Sequence, residues 1–286
     1  MKTQDQVKEI VKQKYSEIAL QDKQTNQSSC CGATSVCCGG ADDYAIMADD
    51  YSKLEGYNPD ADLGLGCGLP TQFAKIKKGN VVIDLGSGAG NDAFIARHET
   101  GETGKVIGID FTPAMIERAR KNAGARGFNN VEFRQGDIEN MPVTSNKADV
   151  IVSNCVLNLV PNKHKVFSEI YRVLKPGGHF SISDIVLEGE LPEKWKQVAE
   201  LYAGCVSGAI QRKEYLGIIE EAGFTNIVLQ KEKNILLPDD VLSSYLSPEE
   251  TNQYKKSNIN IQSITVYAEK PAKDDRKCCE PGSSCC

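Results

Sequence analysis

No stretch of this 286-residue chain approaches the roughly 20 consecutive apolar residues that a membrane-spanning helix needs. Residues Met1–Ile10 mix charges and lack the apolar centre of a secretory leader, so a cytoplasmic protein with no membrane partner is expected. Basic runs are missing as well. The formal charge is −6, with 33 Lys and Arg against 39 Asp and Glu, which disfavours a track for nucleic-acid phosphates. No N-P-P-Y-like base-binding motif follows the fourth expected strand, so no nucleic-acid partner is expected. Histidine is scarce: His98, His164 and His179 are scattered and read as surface or packing residues. No C-x-x-C occurs and no histidine stands at ligand spacing, which argues against a structural zinc site. With 40% hydrophobic and 25% charged residues, the composition is that of an ordinary globular protein and fits a small-molecule enzyme.

What the chain does have is cysteine, 11 in all. A reducing compartment keeps thiols unoxidised and disfavours a disulfide framework. Eight fall in adjacent pairs, Cys30-Cys31, Cys37-Cys38, Cys278-Cys279 and Cys285-Cys286, each cluster reading two cysteines, five residues, two cysteines. The spacers are small and turn-forming, so both clusters are expected in exposed, flexible segments, where a chemical use suits a thiol better than core packing. The other three, Cys67, Cys155 and Cys205, stand alone. A lone cysteine often serves as a small buried hydrophobe, and that reading applies to each of the three taken singly.

Residues 2–20 carry Val7, Ile10, Val11, Tyr15 and Ile18 at helical spacing, and 21–42 lose periodicity. From residue 80, short β-branched runs alternate with helical ones. The strands are Val81–Leu85, Lys105–Asp110, Val131–Arg134, Asp149–Val152 and His179–Asp184; the helices lie near 91–98, 113–126 and 162–174. That rhythm predicts an α/β fold: a Rossmann-like, doubly wound, mostly parallel seven-stranded sheet. Helices near 193–205, 212–222 and from Pro238, with strands at Asn226–Gln230 and Gln262–Ala268, add an antiparallel closing strand. The expected division is 1–78, an N-terminal helix and cysteine-bearing loops; 79–185, the cofactor-binding unit; 186–270, a cap and closing strands; and 271–286, a flexible cysteine-rich tail.

Between the first strand and its helix lies Asp84-Leu85-Gly86-Ser87-Gly88-Ala89-Gly90. Glycines there allow a tight turn and let a ligand lie against the backbone. A glycine loop alone is only a strand–helix turn, and this one is G-x-G-x-G, not the pyrophosphate spacing G-x-G-x-x-G. Asp110, about 20 residues on, is placed for a ribose diol, and Asp137, after the third strand, for an adenine amino group. Asp84 would repel a pyrophosphate but suits the ammonium end of a cationic cofactor, which favours S-adenosylmethionine over NAD.

Residues 79–185 therefore resemble class I S-adenosylmethionine-dependent methyltransferases. A narrower resemblance covers most of residues 1–215. Gly66-Cys67-Gly68-Leu69, Asp84–Gly88, Gly108-Ile109-Asp110, Ser153-Asn154-Cys155-Val156-Leu157-Asn158-Leu159-Val160-Pro161 and Gly204-Cys205 look like the arsenite S-adenosylmethionine methyltransferases. The resemblance implies methylation of arsenite, then methylarsenite, for arsenic detoxification, by a monomeric enzyme. As(III) would be held by Cys67, Cys155 and Cys205, in keeping with the preference of thiolates for soft elements. It also implies a redox cysteine after the first helix, Cys30 or Cys31, served by an external thiol reductant of the thioredoxin or glutathione type. Cofactor contacts would come from Asp84, Gly86, Ser87, Gly88, Gly90, Asp110, Met115, Asp137, Ile138 and Asn154. The family's acidic residue before the cap cysteine is replaced here by Gly204. Two other functions remain: a C- or O-methyltransferase of a small metabolite, needing an acid–base residue near the methyl group, and a soft-metal sequestering thiol protein, binding arsenite without product.

Overall fold

Period-two alternation in the strands sets the architecture. The computed structural model describes residues 3–21, 26, 49–189, 208–235, 247–256 and 260–272. The helices expected over 193–205 and from Pro238, the four cysteine pairs and Cys205 lie outside the described residues. In chain order the described elements are α1 (Gln4–Ile18), α2 (Pro70–Phe73), β1 (Val81–Leu85), α3 (Asn91–Thr100), β2 (Lys105–Asp110) and α4 (Pro113–Ala125). There follow β3 (Val131–Gln135), β4 (Ala148–Asn154), α5 (Lys163–Val173), β5 (Leu174–Glu188), α6 (Arg212–Glu221), β6 (Thr225–Ile235), α7 (Pro248–Lys256) and β7 (Asn260–Glu269).

Ile83, Leu85, Ile107, Ile109 and Ile151 belong to one buried cluster, with Phe167 and Ile170 of α5 and Tyr215 and Ile219 of α6. Val82, Val106, Val150 and Val152 from the same strands belong to another, with Ala93 and Phe94 of α3 and Met115, Ile116 and Ala119 of α4. Successive side chains leave a strand on opposite faces, so both faces of the sheet are covered by helices. Local signals agree. A reciprocal capping box between Thr3 and Gln6 opens α1, and Pro113 stands in the first turn of α4 after Thr112.

The seven strands run in the order β3-β2-β1-β4-β5-β7-β6, with β1 to β5 parallel and β7 antiparallel to both β5 and β6. This is the expected sheet. Two strands are markedly longer than their sequence pattern indicated: β6 runs on to Ile235, and β5 continues to Glu188, pairing with β7 from His179↔Glu269 to Glu188↔Asn260. Ile185, Val186 and Leu187 are all buried, as in a strand covered on both faces.

After β1 the chain winds outward to β2 and β3, then returns to lay β4 on the other side of β1. Open α/β sheets bind ligands at such a reversal, beyond the carboxyl ends of the strands. Leu85 pairs with Ser153 across it, so the glycine loop and the Asn154-Cys155 turn leave the sheet side by side.

Candidate active site

The β1 side of the reversal is built from backbone and carboxylates. Gly86, Gly88 and Gly90 all have positive φ (65°, 49° and 100°). A Cβ at Gly86 would overlap the Val156 side chain, and one at Gly90 would lie 2.9 Å from ring atoms of Phe133 and Phe94. The loop thus packs directly against the segment leaving β4, which only glycine permits. Asp110 fastens it: Oδ2 accepts from Gly88 N–H at 3.0 Å and Oδ1 from Thr112 N–H at 2.8 Å.

Asp84, Asp92 and Asp110 are buried around one cleft, which Asp62 and Asp137 also line. Among the described lining residues the single cationic side chain is Lys8, paired with Asp137 at 2.7 Å and with Glu139. Burial, and then the neighbouring Asp92 and Asp110, push the Asp84 carboxyl well above the ordinary carboxylate range. Burial also raises Asp92, to about 6, against opposing hydrogen bonds from Tyr51 and Asn154. Asp110 is raised by burial, while the Thr112 and Gly88 amides oppose the change. Asp84 Oδ2, Ser87 Oγ and Asn91 Oδ1 are buried without a hydrogen-bond partner among the described residues. Clustered acids and waiting polar atoms fit a cationic ligand rich in donors and acceptors. They do not fit a pyrophosphate.

The β4 side is built around sulfur. Cys155 is buried, lines the cleft and takes a left-handed backbone (φ 59°), its N–H held by Ser183 O at 2.8 Å. Cys67, fully buried, arrives on the loop before α2. Its N–H and that of Gly68 donate to Asn154 Oδ1 at 3.0 and 3.3 Å, and its carbonyl accepts from Ser263 Oγ at 2.6 Å. Glycines let the loop come this close: a Cβ at Gly66 would lie 2.6 Å from Asn154 Nδ2, and one at Gly68 2.5 Å from Ser183 Oγ. Both thiols act on one further group. The Tyr215 hydroxyl, raised first by burial and then by Asp184, lies within the field of Cys67 and of Cys155. Asp184 is fully buried 3.4 Å from that hydroxyl, and burial lifts it to about 7 although Lys163 opposes the change.

The structure therefore gathers Asp84, Gly86, Ser87, Gly88, Asp110, Met115, Asp137, Ile138, Asn154 and Cys155 around one cleft. Gly90 shapes the loop as the N-cap of α3 without lining the cleft, and Cys67 lies behind it, joined through Asn154. Asn154 spends its carboxamide on protein partners, the Cys67 and Gly68 backbone among them. Cys30, Cys31 and Cys205 lie outside the described residues. Tyr51, Asn91, Asp92 and Thr112 were not anticipated. Asp92 had only a weak signal, since a carboxylate in the first turn of a helix is ordinary, and Tyr51 belongs to no recognisable pattern.

A doubly wound sheet with an acid-lined glycine loop at its reversal defines a methyltransferase that uses S-adenosylmethionine, and residues 76–223 match the model of a methyltransferase domain family. The chain belongs to the arsenite methyltransferase family. It is 37% identical over 284 residues to the arsenite methyltransferase of Halobacterium salinarum, covering 95% of this chain and 68% of that one. It is 32% identical to that of Aquipseudomonas alcaligenes, covering 83% and 68%. The crystal structure of CrArsM, an arsenic(III) S-adenosylmethionine methyltransferase from Chlamydomonas reinhardtii, superposes with a TM-score of 0.63 at 33% identity, over 80% of this chain and 73% of that one.

Proposed function

We propose that the enzyme holds trivalent arsenic on the thiolates of Cys67, Cys155 and Cys205 while S-adenosylmethionine occupies the acidic half of the cleft, and that arsenite is methylated first and methylarsenite second. The observation that supports this reading is the bond from the Cys67 amide to the side chain of Asn154, the residue before Cys155, at the edge of the acidic cleft. Arsenite loads by exchange: three thiols and As(OH)3 give the tris-thiolate and three waters, each thiol proton leaving with a hydroxyl. The product keeps a lone pair on arsenic, so no residue need act as general base at the transfer itself. S-adenosylmethionine supplies an electrophilic methyl group on a sulfonium sulfur.

The chain's own groups bind and orient. Asp84, next to like charges, faces the ammonium end, Asp110 the ribose diol, and Asp137 with Ile138 the adenine end. Holding both reactants in line supplies up to about 7–11 kcal/mol of the barrier lowering in well-aligned systems. Transfer oxidises arsenic formally by two electrons, and Cys30 or Cys31, forming a disulfide with Cys67, returns them. An external thiol reductant then reduces that disulfide by exchange, one dithiol of the thioredoxin type or two monothiols of the glutathione type leaving as their own disulfide.

The test is mass spectrometry of arsenic species after incubation with arsenite, S-adenosylmethionine and a thiol, for the wild type and for Cys67→Ser, Cys155→Ser and Cys205→Ser. Methylated arsenicals from the wild type, with none from the variants while cofactor affinity holds, support the assignment. Wild-type turnover in all three variants would remove arsenic from the thiols, and bound arsenite without product would leave a sequestering protein.

A further inference from the structure

The Asn154 side chain bonds to four other residues of the protein, Cys67, Gly68, Tyr51 and Asp92. Oδ1 accepts from the N–H groups of Cys67 and Gly68 at 3.0 and 3.3 Å. Nδ2 donates to the Gly68 carbonyl at 2.8 Å, to the Tyr51 hydroxyl, and more weakly to Asp92 Oδ2 at 3.3 Å. A primary amide has two donor hydrogens and two acceptor lone pairs, so this capacity is filled. Tyr51 extends the clamp. Its hydroxyl, accepting from Asn154, lies 3.0 Å from both Gly68 O and Asp92 Oδ2, and its single proton serves one of them.

We infer that Asn154 is a positioning residue for the arsenic thiols: one carboxamide fixes the Cys67 loop on the end of β4 and so sets the separation of Cys67 from Cys155. The inference rests on the thiol reading above and gives Asn154 a role other than cofactor contact. Three features support it. Asn154 immediately precedes Cys155, whose own N–H is fixed to β5, so the second thiol is held independently of the loop. The loop is rich in glycine and has no strand or helix between Asp49 and α2 to stiffen it. The bonds lie in a part-buried site where water competes poorly, so losing them leaves two N–H groups and a carbonyl to find other partners.

Asn154→Ala removes the clamp, and Asn154→Asp keeps the acceptor but loses the donors. Tyr51→Phe, which leaves the carboxamide in place, is the milder probe should Asn154→Ala fold poorly. Hydrogen exchange of the full-length, arsenic-free protein reads the clamp directly. In Asn154→Ala the Cys67 and Gly68 amides should exchange roughly 10- to 100-fold faster, with amides of β1 and β2 unchanged. Asn154→Asp should keep much of that protection. Arsenite affinity, followed by fluorescence of the single tryptophan or by equilibrium dialysis, should fall by a similar factor in Asn154→Ala, and by less in Tyr51→Phe. S-adenosylmethionine affinity by calorimetry should change less than about 3-fold.

Unchanged Cys67 and Gly68 exchange in Asn154→Ala overturns the inference, as does a loss confined to S-adenosylmethionine affinity. Cys67→Ser and Cys155→Ser, measured alongside, separate the two levels. If they bind arsenite like the wild type, the thiol reading fails, whereas the exchange data judge the clamp with no arsenic present.

Discussion

The two halves of the cleft solve opposite problems. On the β1 side the groups come from consecutive turns of one winding unit, Asp84, Gly86–Gly90, Asp110 and Asp137, and the difficulty is an excess of buried negative charge. On the β4 side the groups come from separate stretches, and the difficulty is placement. Buried like charges make the first half unfavourable until a cation arrives. A single carboxamide brings the second half together before any ligand does. The first half is tuned by electrostatics and the second by geometry; they touch at Asp92, bonded to Asn154 and Tyr51, and substitutions away from it should leave the other side working.

The largest effect should come from Cys155→Ser, which cuts arsenite methylation by at least ~10³-fold while S-adenosylmethionine affinity stays within ~2-fold. Measuring product by mass spectrometry and cofactor binding by calorimetry checks both. A parallel loss of cofactor affinity would show that the halves are not separable.

Acid–base behaviour sharpens the contrast, because the thiol half holds one buried acid of its own. Asp184 rises from 3.8 to about 7, and Asp92 from 3.8 to about 6. Between the ordinary and folded values the native state binds more protons than the unfolded one, so unfolding free energy falls as pH rises through that window. For Asp184 the displacement corresponds to on the order of 4 kcal/mol. Urea melts at pH 5 and pH 8 should show the wild type losing stability toward pH 8, and Asp184→Asn should remove much of that slope. A cationic cofactor favours the ionised acids of its own half, so its affinity should increase as pH rises through about 6, with proton release visible as a buffer-dependent binding enthalpy.

Asp84→Asn should weaken S-adenosylmethionine by roughly 100-fold through loss of a charge-assisted contact, while arsenite binding by equilibrium dialysis is preserved. The unliganded variant should melt higher than the wild type, since it no longer buries a carboxyl among acids. Gly86→Ala places a methyl in the Val156 side chain at a positive φ, at a cost of about 1–3 kcal/mol by denaturant titration. Combining it with Val156→Ala should recover part of that. The smallest effect belongs to Lys8→Met. Its partner Asp137 is 40% exposed, but Glu139 keeps only 7% of its side chain exposed, so stability should fall by about 1–2 kcal/mol in a denaturant titration, and less in high salt.

The sheet and the gathering of the acids and glycines at one cleft were legible because their determinants are local. β-branched runs mark the strands, and the glycines and the acids after β1, β2 and β3 sit at fixed offsets from them. Cys67 and Cys155 could be named as candidates from the sequence, but what joins them could not. Asn154 entered as a cofactor contact implied by the family resemblance, and nothing at residue 154 shows that its partners are the amides of residues 67 and 68. Tyr51 and Asp92 were missed for the same reason, as both matter only through contacts made at long range in sequence. Cys205, Cys30 and Cys31 lie outside the described residues, so the third thiol and the redox pair stand as proposals.

The left-handed backbone at Cys155 sets stability against chemistry at that position. A side chain with a Cβ adopts this conformation at roughly 1–2 kcal/mol, a cost that glycine escapes and asparagine partly escapes. Selecting variants for thermal resistance alone should therefore enrich glycine or asparagine at residue 155 and produce a sturdier, inert protein. Selecting for arsenic tolerance in a host should restore cysteine and, with it, the less comfortable turn.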